Sequence, residues 1–375
     1  MTLSCGRVSG WSVLVLVLAG SVAAQEEPAA PDPMLADAQL ADVVFVDRHH
    51  GWAVGDRGVI WHTADAGRTW VLQPSGVDCR LSSVCFLSDK VGWAAGGYIQ
   101  PYTHATVGVL LRTRDGGEHW QPARARVLPA IRRIGFFDAQ QGWALGQTSA
   151  YFPTGVYTTG DGGKSWAAVP GSAGRAWLAG DFIDANTGAL AGRASSIATV
   201  RRRGVDGQQA DFGLRALTRM KLNAPSSGWL VGDGGLVLAT RDLGKSWQTP
   251  EGSLPRGAAN QFNFGALAVS GEHVWVAGTP GTRVLHSADG GQSWQAADTG
   301  QALPIRSLAF ADEQHGWAVG DLGTILATVD GGQTWKPQRA GGRRAAIAGF
   351  FSRPEEMPLE LLALVSADEG YLGAI

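Results

Sequence analysis

The chain is 375 residues long, with 31 basic against 33 acidic side chains, a formal net charge of −2, 45% hydrophobic residues and 53 glycines. So even a charge balance argues against nucleic acid as the main partner, because phosphate recognition needs a surplus of clustered Lys and Arg. A folded region of about 300 residues would also outgrow a single core unless short units repeat.

Met1 to Ala24 reads as a secretory signal peptide: Arg7, an apolar run from Trp11 to Ala19, then Val22, Ala23 and Ala24 before Gln25. The run is too short to span a bilayer, so the expected product is exported, monomeric and without a stable membrane anchor. Cys5 precedes the run and no Cys follows it directly, so a lipid-anchoring cysteine is not indicated. Cleavage would remove Arg7 and move the charge from −2 to −3. Residues 25–39, rich in Pro, Ala and acids, read as a flexible spacer.

From residue 40 to 339 two phrases alternate. The first is GWAVG at Gly51, GWAAG at Gly92, GWALG at Gly142, GALAG at Gly188, GWLVG at Gly228, VWVAG at Val274 and GWAVG at Gly316. Its last glycines are spaced 41, 50, 46, 40, 46 and 42 residues apart, which gives seven units. The second phrase is TADAGRTW at Thr63, TRDGGEHW at Thr113, TGDGGKSW at Thr159, TRDLGKSW at Thr240, SADGGQSW at Ser287 and TVDGGQTW at Thr328. It reads as a hairpin turn in which Asp65, Asp115, Asp161, Asp242, Asp289 and Asp330 bond backbone N–H groups of their own turns. Gly permits positive φ there, and Trp anchors the returning strand. The fourth unit lacks this turn, with Arg201 in the Asp place.

Each unit carries four short strands. The first is clearest as VVFVD at Val43, SVCFLSD at Ser83, RIGFFD at Arg133, GDFID at Gly180 and SLAFAD at Ser307. The Gly-Trp phrase is the second, GVIWHT at Gly58 or GTILAT at Gly323 typifies the third, and the residues after each turn Trp form the fourth. Six residues before the second strand stand Phe45, Phe86, Phe136, Phe182, Leu222 and Phe310, whereas the sixth unit has Ala268. Four strands per period of 40 to 50 residues predict an all-β, seven-bladed β-propeller of antiparallel blades.

Of 15 Trp, one is in the signal, six are in the turns and six in the Gly-Trp phrases; only Trp61 and Trp177 fall outside. That assigns the indoles to blade packing rather than to a sugar groove. Cys79 and Cys85 would stand about 20 Å apart on one extended strand, so a disulfide requires Cys79 to fold back in a loop, and two packed thiols are the simpler expectation. Each turn offers one Asp without the alternating carboxylates of a calcium loop, so no metal is expected. No cofactor or catalytic constellation is apparent.

Arginines cluster where one unit passes into the next: Arg80, Arg132 with Arg133, Arg175, Arg215 with Arg219, and Arg306. With the first strand innermost these share one face near the central channel, opposite the turns, as a basic ring suited to carboxylates on a partner. Enlarged second-to-third-strand connections from Gly97 and Gln147 bring Tyr98, Tyr102, His104, Tyr151 and Phe152 to the same face. His104 alone supports no metal or general-base role.

The turn phrase resembles the Asp-box, or BNR, repeat of sialidases, some glycoside hydrolases and sorting receptors. The fuller unit resembles the photosystem II stability/assembly factor family over residues 40–339, departing from it chiefly in the fourth unit and the start of the sixth. The resemblance implies a seven-bladed propeller exported to the periplasm or thylakoid lumen. It also implies a non-enzymatic factor that docks a membrane-protein complex or its precursor polypeptide through an arginine patch. The rival reading is a sialidase-like glycoside hydrolase or carbohydrate-binding propeller; the sialidase FRIP phrase is absent, and most repeated Asp residues are committed to turns. Residues 340–375 read as a C-terminal extension, either a closing strand or the start of a further element.

Overall fold

The computed structural model describes residues 33–123, 128–201, 204–209 and 212–339. The signal peptide, the beginning of the spacer and the C-terminal extension lie outside the described residues. Of the spacer, Pro33–Ala36 is helical and Ala36 and Ala38 are buried between the first and last blades, so this part is packed rather than free.

Seven antiparallel sheets form, each from consecutive strands of one repeat. The first strands are Leu40–Phe45, Arg80–Phe86, Ile131–Phe136, Trp177–Asp184, Leu217–Asn223, Asn263–Ser270 and Ile305–Phe310. Each packs on the first strands of its neighbours, and the seventh returns to the first, so they line a central channel. Six blades have four strands. Blade 5 has three, plus one bridge between Ala239 and Gln248 where the fourth belongs; Pro250, lacking an N–H, follows two residues later and stops the ladder. In blade 4 the strands Ser196–Arg201 and Gly204–Gln209 pair directly, Arg201 opposite Gly204, in place of the missing turn.

One aromatic device recurs at four of the seven blade junctions. The second-strand Trp of one blade stacks on the first-strand Phe of the next: Trp52 on Phe86 at 3.6 Å, Trp93 on Phe136 at 3.8 Å and Trp275 on Phe310 at 3.6 Å. The same Phe meets its own blade's turn Trp edge-on, as Phe86 does Trp120. The stacked indole also donates its N–H to the next blade's turn: Trp52 to the Gly116 carbonyl at 3.0 Å and Trp93 to Gly162 at 3.2 Å. Each such aromatic pair contributes roughly 1 kcal/mol beyond the area it buries.

Because the Phe ring lies across the opposite glycine, a Cβ on Gly51, Gly92 or Gly316 would collide with it. Blade 6 solves the same problem differently. Its hairpin is one residue shorter, so Val269 rather than Ala268 faces the second strand, paired with Val274.

The ring closes without exchanging strands. Trp317 of blade 7 stacks on Phe45 of blade 1 at 3.4 Å and donates to the Ala66 carbonyl at 3.2 Å. Arg339 sits over Trp61 at 3.7 Å, which gives one of the two unassigned indoles its place. The other, Trp177, fills the buried first-strand position held elsewhere by Leu40, Leu81 or Ile305, and donates to the Ser172 carbonyl.

Candidate docking face

Every first strand carries a bulge near its start, where one extra residue faces the last glycine of the Gly-Trp phrase. In blade 1 Leu40 pairs with Gly55 and Asp42 with Val54, which leaves Ala41 unpaired. The equivalents are Ser82, Arg132, Leu178, Thr218, Gly265 and Arg306. A glycine is required opposite because the strand backbone presses against it: a Cβ on Gly55, Gly278 or Gly320 would collide with the carbonyl of Gln39, Asn263 or Pro304. Bulges re-aim side chains, and six of these seven residues line a cavity of about 400 Å³ at the channel mouth. Gly97 and Gln147, at the roots of the two long connections, line it as well.

Arg80, Arg132, Arg133 and Arg306 reach this cavity, but most of the expected basic ring is neutralised from within. Arg80 pairs with Asp56 at 2.9 Å and Gln39 at 2.6 Å. Arg306 forms a two-pronged pair with Asp321 at 2.8 and 3.0 Å. On the cavity floor buried Asp42 lies 2.9 Å from Arg133, an ion pair without hydrogen-bond alignment, and accepts from Arg219 at 3.3 Å, the Ser307 hydroxyl and the Val84 N–H. Arg219 also donates to the carbonyls of Gly265 and Arg306. Arg133 and Arg219 therefore tie blades 1, 3 and 5 together across the channel. Arg175 and Arg215 are exposed and outside the cavity, Arg175 lying over Trp177 at 5.9 Å.

Arg132 is the exception. It is half-buried, and among the described residues no hydrogen bond or ion pair involves its guanidinium. Burial, then Arg193 and then Arg80, lower its pKa from the ordinary arginine value. Arg193, which lies in none of the junctions, directly follows the last glycine of the blade 4 phrase. That position holds Asp56, Gly97, Gln147, Arg193, Asp233, Thr279 and Asp321 around the ring, and comparing those seven letters would have exposed both the counter-ions and Arg193.

In the aromatic connections Tyr98 is 46%, Tyr151 77% and Tyr102 97% exposed, and Phe152 is partly covered. Deeper in the channel Asp181 pairs with Lys221 at 3.3 Å and accepts from the Leu222 N–H. Cys79 and Cys85 are free thiols, and burial pushes the Cys85 thiol up to about 11, which keeps it unreactive.

On the opposite face all six turn aspartates behave alike. In the Thr328 turn the Asp330 carboxylate accepts from the Thr328 hydroxyl at 2.7 Å, the Thr334 N–H at 2.9 Å and the Thr334 hydroxyl at 2.6 Å, while Thr328 accepts from Gly332 N–H. Asp65, Asp161, Asp242 and Asp289 repeat the arrangement, and Asp115 does so with the His119 ring in place of the hydroxyl. Their oxygens are spent inside the turn.

The family model described as Photosynthesis system II assembly factor YCF48 matches residues 33–176 and 208–308. The chain belongs to the YCF48 photosystem II assembly factor family. The break in the match coincides with blade 4, the blade that lacks its Asp-box. The photosystem II assembly lipoprotein Ycf48 of Synechococcus sp. (strain CC9902) is 28% identical over 341 residues, covering 84% of this chain and 94% of that protein. A solved YCF48 bound to D1 peptide superposes with a TM-score of 0.57 at 24% identity, over 78% of this chain and 92% of that one. The GH74 xyloglucanase from Xanthomonas campestris superposes with a TM-score of 0.65 at 15% identity, over 82% of this chain and 55% of that one, a likeness of fold alone.

Proposed function

We propose that this protein is an exported, non-catalytic assembly factor that holds a precursor polypeptide of a photosystem II type complex on the mouth face of its propeller. Family membership supports the assembly role, and the relative solved with a D1 peptide supports a polypeptide ligand. The observation that carries the reading is the coincidence, on one face, of a cavity with an unpaired arginine and two exposed aromatic connections rooted at its edge. Long loops on a rigid scaffold are where recognition concentrates, and Tyr and Arg are the side chains most enriched at interface hot spots.

The test is affinity capture from detergent-solubilised membranes of the source organism, with the eluate identified by mass spectrometry. The wild type should retain subunits or precursors of a membrane complex, and a Tyr98→Ala, Tyr102→Ala, Tyr151→Ala variant should lose them. Equal capture by that variant, or an eluate without such subunits, would contradict the reading.

A further inference from the structure

We infer that the blade 2 hairpin is a membrane-surface contact whose tip enters the headgroup layer of a lipid bilayer. This goes beyond the docking reading, because a lipid surface is met without any polypeptide. In blades 1, 3, 4, 5 and 7 the second strand stops at the last glycine of its phrase, Gly55, Gly146, Gly192, Gly232 or Gly320. In blade 2 the strands Gly92–Ile99 and Thr106–Thr113 stay paired past Gly96, with Gly97 opposite Gly108, Tyr98 opposite Val107 and Ile99 opposite Thr106. Those added pairs carry the tip about 10 Å beyond the point where the other second strands end. The turn is braced: the Gln100 N–H donates to the Ala105 carbonyl at 2.9 Å and the His104 N–H to the Gln100 carbonyl at 3.0 Å.

From Val91 to Leu111 the sequence holds no Asp, Glu, Lys or Arg, whereas the same connection carries Asp56, Arg193, Asp233 and Asp321 in blades 1, 4, 5 and 7. Tyr98, Ile99 and Tyr102 stand exposed together on this hairpin, and Tyr151 on the equally uncharged blade 3 connection. An exposed apolar cluster marks a protein or a membrane contact. A convex tip favours the membrane, because a protein hot spot is centred on a pocket that closes round its anchor. Tyrosine suits the headgroup level, where its ring is buried and its hydroxyl stays wet. The paired stem satisfies its own backbone groups, and no carboxylate, ammonium or guanidinium has to leave water. With so few side chains entering, the contact is weak and reversible.

The exported protein, purified after removal of its signal peptide, would be floated with vesicles of phosphatidylcholine or of phosphatidylglycerol at molar salt, where attraction between surface charges is screened. The wild type should float with both lipids, and a Tyr98→Ser, Ile99→Ser, Tyr102→Ser variant should lose about fivefold or more of the bound fraction. Thermal melts confirm that the variant is folded. No flotation of the wild type, flotation with phosphatidylglycerol alone, or equal flotation of the variant would overturn the inference. If the wild type does not float yet membrane subunits are still captured, the hairpin is a polypeptide contact and docking stands; if flotation follows the prediction and nothing is captured, the lipid contact stands and the assembly reading falls.

Discussion

Single residues divide into those the turns consume and those the channel arranges. Hydrogen bonds from Ser165 and Ser293 hold Asp161 and Asp289 down at about 2, below the ordinary 3.8 of an aspartate. A carboxyl whose folded pKa is depressed stabilises the fold fully above its unfolded pKa and loses that contribution as pH falls through the folded one. Denaturant midpoints should therefore hold above about pH 4 and drop steadily toward pH 2; midpoints flat across that window would refute the turn assignment. The six-fold recurrence of Ser or Thr, Asp, Gly and Trp made this role legible in sequence.

The arginines were not legible in the same way, because charge alone does not reveal a partner 177 residues away, the separation of Asp42 and Arg219. Arg219→Ala leaves part of a buried carboxylate unpaired and should cost about 3 kcal/mol. Arg132→Ala removes no internal contact and should stay within about 0.5 kcal/mol of wild type. Urea titrations of the two variants decide this; equal losses would mean that the floor of the channel is not held as described.

At the scale of strands and hairpins, the apolar alternation and the spacing of the Gly-Trp phrases were enough to place most strands, and blade 6 shows where they fell short. Ala268 broke the expected pattern because the hairpin is one residue shorter, and a count from the glycine cannot see a deleted turn residue. The Val269 and Val274 pair there indicates that Gly opposite Phe and Val opposite Val are two solutions to one packing problem. Gly316→Val alone should cost about 2 kcal/mol by driving a side chain into Phe310. Adding Phe310→Val should make the double variant at least about 1 kcal/mol less destabilised than the sum of the singles. Strict additivity in the cycle would contradict the paired-position account. The bulge was invisible beforehand, since neither Ala41 nor Arg132 carries a letter that announces an extra residue; only the register shows it.

For the whole molecule, the seven-fold repeat predicted the ring, while its closure could be read only from the structure. Blade 7 meets blade 1 through Trp317 stacked on Phe45, the contact that also joins blades 1 to 2, 2 to 3 and 6 to 7, with Arg339 over Trp61 beside it. Trp317→Ala and Trp52→Ala should thus be destabilising to within about 1 kcal/mol of each other, each by about 3 to 5 kcal/mol. A much milder Trp317 variant would mean that the seam is held by something else.

A rigid ring of this kind presents two different surfaces, one of self-satisfied turns and one with unpaired charge and exposed aromatics, and the docking reading depends on that asymmetry. The most direct measurement is site-specific photocrosslinking in source membranes, with benzoylphenylalanine placed at position 102 on the mouth face or at position 114 in an Asp-box turn. The account predicts a covalent adduct to a membrane-protein precursor from position 102 and none from position 114; adducts from position 114 alone would contradict it.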